Sequence, residues 1–157
     1  MLHIDTYREN EQLIPYINGF LLALETLGID TNHVQTFYVE AIDRLQTYEE
    51  SVIEYLQDEN YTITIEQITD WKSKIVETIK YFLKSAEFFN KSRGEIVNFD
   101  FLIEEYTTLM SELITERTKV FEVFVNCSKG AFYECEHKDY LVDNDKGLFF
   151  IHFGTSD

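Results

Sequence analysis

Few residues in this sequence have side chains that could do chemistry, and their spacing argues against most of it. The histidines are His3, His33, His137 and His152, and the cysteines are Cys127 and Cys135. A ferritin-like dinuclear metal centre needs a Glu from each of two helices and two Glu-x-x-His pairs. Glu134 and His137 make one such pair, but it falls in the C-terminal tail and has no second to match it. Cys127, Cys135 and His137 would give zinc two thiolates and an imidazole, yet their spacing fits no usual zinc pattern, and two ordinary thiols beside a surface histidine is the plainer reading. Asp143-Asn144-Asp145-Lys146-Gly147 has the look of a calcium loop, but its glycine stands fifth instead of sixth and no Glu follows at the twelfth position, so it reads as a turn. Glu40 and Asp43 would form one carboxylate pair for magnesium, as in a small metal-dependent hydrolase, but without the second pair such a site requires. No Gly-rich phosphate loop or Gly-x-Ser-x-Gly elbow is present. The sequence therefore suggests no catalytic residue, metal ligand or cofactor.

What remains is suited to contact. Thirteen Lys and Arg stand against twenty-nine Asp and Glu, a net charge of −16. That balance opposes direct binding to nucleic acid or to an anionic membrane and favours a basic partner. If residues 31–59 are one helix, Glu40, Asp43, Glu50, Glu54 and Asp58 fall opposite its apolar stripe, in an acidic ridge about 27 Å long at 1.5 Å per residue. Such a ridge would meet a basic protein or imitate a phosphate backbone; a solvated outer face is the plainer alternative. Residues 64–93 carry six cations against four anions, a local +2, which leaves −18 on the rest. There Tyr81 and Phe88 lie one heptad apart, flanked by Lys74 and Lys84. Rings rimmed by long polar chains are what the centre of an interface uses, unless the C-terminal hairpin covers them.

These residues must be positioned by elements that periodicity should reveal. One proline and six glycines leave few forced breaks in 157 residues, so the spacing predicts long helices. The first covers about 10–27, with a stripe of Leu13, Ile17, Phe20, Leu24 and Leu27 and a cap at Gly28. The second covers 31–59, capped by Asp30 or Thr31, on Val34, Tyr38, Ala41, Leu45, Tyr48, Val52 and Tyr55. The third covers 65–92, opened by the capping-box pattern Thr64-Ile65-Glu66-Gln67 and closed at Gly94. The fourth covers 99–128, ending by Gly130, and it places Arg117 on its apolar face, either paired with a carboxylate such as Glu49 or with its stem along apolar surface. A strand-turn-strand hairpin follows over about 139–153, with 131–136 as a candidate third strand.

The expectation is a mainly α, single-domain, up-and-down bundle of about four long helices with a small C-terminal β-hairpin. Two cysteines are too few for a secreted disulfide framework, the start shows no signal pattern, and the greasy run Leu13 to Leu24 is too short to cross a bilayer. The expected compartment is the cytoplasm. The expected role is that of a non-enzymatic protein-binding module, an inhibitor or immunity-type protein. A DNA mimic and a carboxylate–magnesium hydrolase stand as alternatives, and heptad-spaced aromatics would also allow a homodimer.

Overall fold

The computed structural model describes residues 10–27, 34–94, 97–128, 132–134 and 136–156. It overturns the four-helix bundle. The element order is α1 (Asn10–Thr26), β1 (Val34–Ile42), α2 (Tyr48–Leu56), β2 (Tyr61–Ile68), α3 (Trp71–Ser92), α4 (Phe99–Leu113), β3 (Lys119–Cys127), β4 (Glu136–Asn144) and β5 (Gly147–Ser156). The strands form one antiparallel sheet in the order β1-β5-β4-β3-β2. The anticipated C-terminal hairpin, β4–β5, is its centre, flanked by β3 and β1 rather than by residues 131–136, of which Ala131 and Cys135 lie outside the described residues.

The centre of the sheet is covered on both faces, which is why periodicity misread β1 and β3. One face packs on α1, α3 and α4 through Phe37, Val39, Val120, Tyr140, Val142, Phe149, Ile151 and Phe153. The other packs under α2 through Ile63, Phe121, Val123, Val125, Leu141, Leu148 and Phe150. A strand buried on both sides loses its apolar-polar alternation, and what remains can satisfy a helical spacing by accident. In 34–42 the even residues Tyr38 and Ile42 face one layer while Phe37 and Val39 face the other. Within the proposed 31–59 helix, residues 34–56 are therefore a strand, a loop and a helix.

Two of the breaks are made by hydroxyl caps instead of Gly or Pro. Thr47 caps α2, accepting from the Glu50 N–H while the Glu50 carboxylate accepts from the Thr47 N–H, a reciprocal capping box. Thr118 Oγ1 accepts from the Thr115 N–H in the turn that ends α4 and starts β3. That turn exposes Arg117, so the cation assigned to a helix's apolar face sits in solvent between two elements. The Thr64-Ile65-Glu66-Gln67 pattern lies within β2 and caps nothing; the third helix begins instead at Trp71, behind Asp70, whose carboxylate accepts from the Ser73 N–H. Gly94 does end it, in the left-handed region at φ 70°, where a side chain would be strained. The caps named for the first two helices, Gly28, Asp30 and Thr31, and the stop at Gly130 lie outside the described residues.

The two edges of the sheet differ. The β1 edge is closed by α1: the Asn18 amide donates to the Val39 carbonyl and accepts from the Val39 N–H, both at 2.7 Å, and the Glu25 carboxylate accepts from the Phe37 N–H at 2.6 Å. At the β2 edge the Tyr61 N–H donates to the Asp58 carbonyl at 3.3 Å, and among the described residues no group bonds the strand's outer edge beyond it.

Candidate functional site: two faces of one strand

Residues 136–140 of β4 alternate between the two faces of the sheet and so serve two polar constellations. Glu136, Lys138 and Tyr140 turn toward α3; His137 and Asp139 turn toward the α2 side.

On the α2 side Asp139 is the hub. It is fully buried, and its carboxylate accepts from His152 Nδ1 at 2.6 Å, from His137 Nδ1 at 3.0 Å and from the Tyr133 hydroxyl at 3.2 Å. Register explains the meeting: Asp139 and His152 are direct cross-strand partners, and His152 in turn pairs with Tyr38, whose ring stacks on the imidazole at 4.9 Å. Gly154 makes room. A Cβ there would lie 2.4 Å from His152 Nε2 and 3.2 Å from Glu134 Cδ. The Glu134 carboxylate stands 3.9 Å from that nitrogen. Burial, then the Asp139 charge, pushes the Tyr133 hydroxyl far above its ordinary value, so it stays a donor. Tyr55 is held neutral in the same way, by burial and by its hydrogen bond to Glu40. An Asp-bound imidazole is what a general base or a metal ligand uses. Here, however, His152 is only 2% exposed, and the one carboxylate is spent on three donors from two strands and the 132–134 segment. Among the described residues no group of three or more His, Cys, Asp or Glu side chains could hold a metal ion. The arrangement knits β4 to β5 and to Tyr133.

On the α3 side the strand and helix diverge into an open cleft of about 610 Å³. Its buried end is closed: the Thr78 hydroxyl and the Tyr140 hydroxyl bond each other at 2.6 Å, beside Phe82. Lys138 bonds the carboxylate of Glu122, which is 6% exposed, and Lys74 Nζ stands 4.0 Å from the same group. Farther along α3 the Tyr81 hydroxyl donates to Glu136 at 2.9 Å, so one ring bridges helix and strand. The Tyr81 side chain is 56% exposed, and the hairpin stands beside it without covering it.

The sequence-selected residues are redistributed by the sheet. Lys74 and Tyr81 line the cleft, and Lys84 is exposed on the same helix; the Phe88 side chain lies outside the described residues. The acidic ridge is dispersed. Glu40 is in β1 and accepts from Tyr55, Asp43 is in the following loop, Glu50 is in the α2 capping box, Glu54 is on α2, and Asp58 accepts from Asn60 in the turn before β2. Glu40 and Asp43 are thus not one helical turn apart, which removes the geometry of the magnesium pair. Cys127 is a free, exposed thiol at the end of β3, and Cys135 and His33 lie outside the described residues, as does His3. The sequence reading missed Asp139, His152, Tyr133, Glu122 and Lys138. His137-x-Asp139 and His152-x-Gly154 have the period of a strand, but only the register brings them together.

No protein-family model, curated protein or solved structure matches this chain. Among the described residues no helix is long and apolar enough to cross a membrane.

Proposed function

We propose that this protein is a non-enzymatic binding module that captures a partner protein, as an inhibitor or an immunity-type protein does, and that the α3–β4 cleft is its contact surface. The observation that carries this reading is the exposed Tyr81 ring at the mouth of an open, mixed-charge cleft, over a deep end already satisfied by its own hydrogen bonds. Anchoring rings beside such a recess are the usual centre of a protein interface. The constellation best suited to acid–base chemistry is withdrawn from solvent on the opposite face, which favours contact over turnover. The DNA-mimic alternative loses its support, because a row of carboxylates along one helix was its premise.

The test is affinity capture from the native host with the wild-type chain and the Tyr81→Ala, Lys74→Ala double variant, with circular dichroism confirming that both are folded. Loss of the captured partner from the variant supports the reading. Recovery at wild-type yield overturns it.

A further inference from the structure

The treatment of the two sheet edges is unequal in a way that packing alone does not require. At the β1 edge three backbone groups are closed off by Asn18 and Glu25. At the β2 edge, Tyr61–Ile68 reads Tyr-Thr-Ile-Thr-Ile-Glu-Gln-Ile, rich in β-branched residues, without proline or lysine. Its Thr62, Thr64, Glu66 and Gln67 are exposed.

The register states which groups are unpaired. Asn60 lies opposite Ser128, and the Ser128 N–H donates to the Asn60 carbonyl at 2.9 Å, so Asn60 bonds inward to β3. Inward bonding recurs at every second residue of an antiparallel strand. Thr62, Thr64 and Glu66 therefore bond β3, and Ile63, Ile65 and Gln67 direct their N–H groups outward.

We infer that the β2 edge is a second contact surface, which accepts an extended, basic segment of the captured partner as a sixth strand. The inference rests on the binding role proposed above and adds the chemistry of the partner. Charge selects the occupant. Residues 58–70 hold Asp58, Glu59, Glu66 and Asp70 and no Lys or Arg. A second copy of this chain would set these four carboxylates against four more, on a body already at −16. A strand of alternating basic and apolar residues fits both faces. Its cations would lie beside Thr62, Thr64 and Glu66, and its apolar residues beside Ile63 and Ile65, which pack with Ile53 and Leu56 of α2.

The probe is an end-blocked Lys-Val octapeptide with strict alternation. Its controls are the same peptide N-methylated at every residue, which cannot donate to the edge from either side, and a Glu-Val octapeptide. Amide hydrogen exchange on the full chain is the readout. In the free protein Ile63, Ile65 and Gln67 exchange fast while Thr62, Thr64 and Glu66 are protected; saturating Lys-Val peptide slows the first three at least tenfold, and neither control does. The Ile65→Pro variant, which loses an outward N–H and no bond to β3 along with the Ile65 side chain's packing on α2, abolishes the effect. Should that variant unfold, the N-methylated peptide decides alone. Slow exchange at these three amides in the free monomer, equal protection by either control, no protection by the Lys-Val peptide, or their protection in a dimer of this chain would each overturn the inference. Tyr81→Ala leaves the peptide effect intact. Failure of the edge and failure of the cleft are therefore read separately.

Discussion

Gly154→Ala should destabilise the protein although the backbone there accepts alanine. Its φ lies outside the left-handed region, so the change itself would ordinarily stabilise by about 0.4–1 kcal/mol through the unfolded chain. The obstacle is the imidazole. The new methyl would sit 2.4 Å from His152 Nε2 and 3.0 Å from Cε1. That ring cannot swing aside, because Tyr38 stacks on it at 4.9 Å and Asp139 holds Nδ1 at 2.6 Å. Either the core deforms, at about 1–3 kcal/mol, or the hydrogen bond to a buried carboxylate breaks, at about 1.5–3 kcal/mol. The cheaper route, less the chain-entropy gain, leaves a loss of about 1 kcal/mol, or about 2–4 °C in Tm for a chain of this size. In a His152→Ala background the nearest remaining neighbour is Glu134 Cδ at 3.2 Å, and the same substitution should cost almost nothing. Urea unfolding of the two single variants and the double variant closes the cycle, with a coupling of about 1 kcal/mol expected. A Gly154→Ala chain within about 0.5 kcal/mol of wild type, or an equal loss in both backgrounds, would refute the claim that this glycine exists to seat the histidine.

Two further outcomes follow from the same contacts. Asn18→Ala removes both side-chain bonds to Val39, and should cost about 1–3 kcal/mol in denaturant unfolding and increase light scattering on prolonged incubation, since it bares the β1 edge. Burial raises the Asp143 carboxyl, but the hydrogen bonds from Tyr48 and Arg44 outweigh it and hold its pKa below the ordinary value. A depressed carboxyl stabilises above its unfolded pKa of about 4, and that stabilisation is lost as pH falls through the folded value. Arg44→Ala should therefore flatten the loss of stability below about pH 4, measured by urea midpoints at stepped pH, and an acid limb as steep as wild type would contradict the assignment.

The legible parts of the fold were those with one buried face. The helical stripes at Leu13, Ile17 and Leu24, at Ile75, Ile79, Phe82 and Ala86, and at Tyr106, Leu109 and Leu113 are all buried as their spacing demands. The β4–β5 hairpin was legible from its turn, where Asn144 Oδ1 accepts from the Lys146 and Gly147 N–H groups. The outer strands were not. Val120, Phe121, Val123 and Val125 are buried on the two faces of β3, so the strand lacks a clean alternation, and Val120 and Phe124 extended the helical spacing of α4 instead. Scarce glycine and proline suggested uninterrupted helices, while Thr47 and Thr115–Thr118 made the breaks with hydroxyls. The polar site was legible only in part. Tyr81 and Lys74 stood out as a ring with a cation on one helix, but the strand that faces them, and the thirteen-residue separation of Asp139 and His152, become meaningful only once the register is known.

The central claim is that the exposed mouth of the α3–β4 cleft touches another protein. A photo-reactive benzoylphenylalanine placed at position 81, and for comparison at Leu22, which is 60% exposed on α1, tests it inside the native host. The account predicts a discrete higher-mass adduct from position 81 and none from position 22. No adduct from position 81, or the same adduct from both, would contradict it.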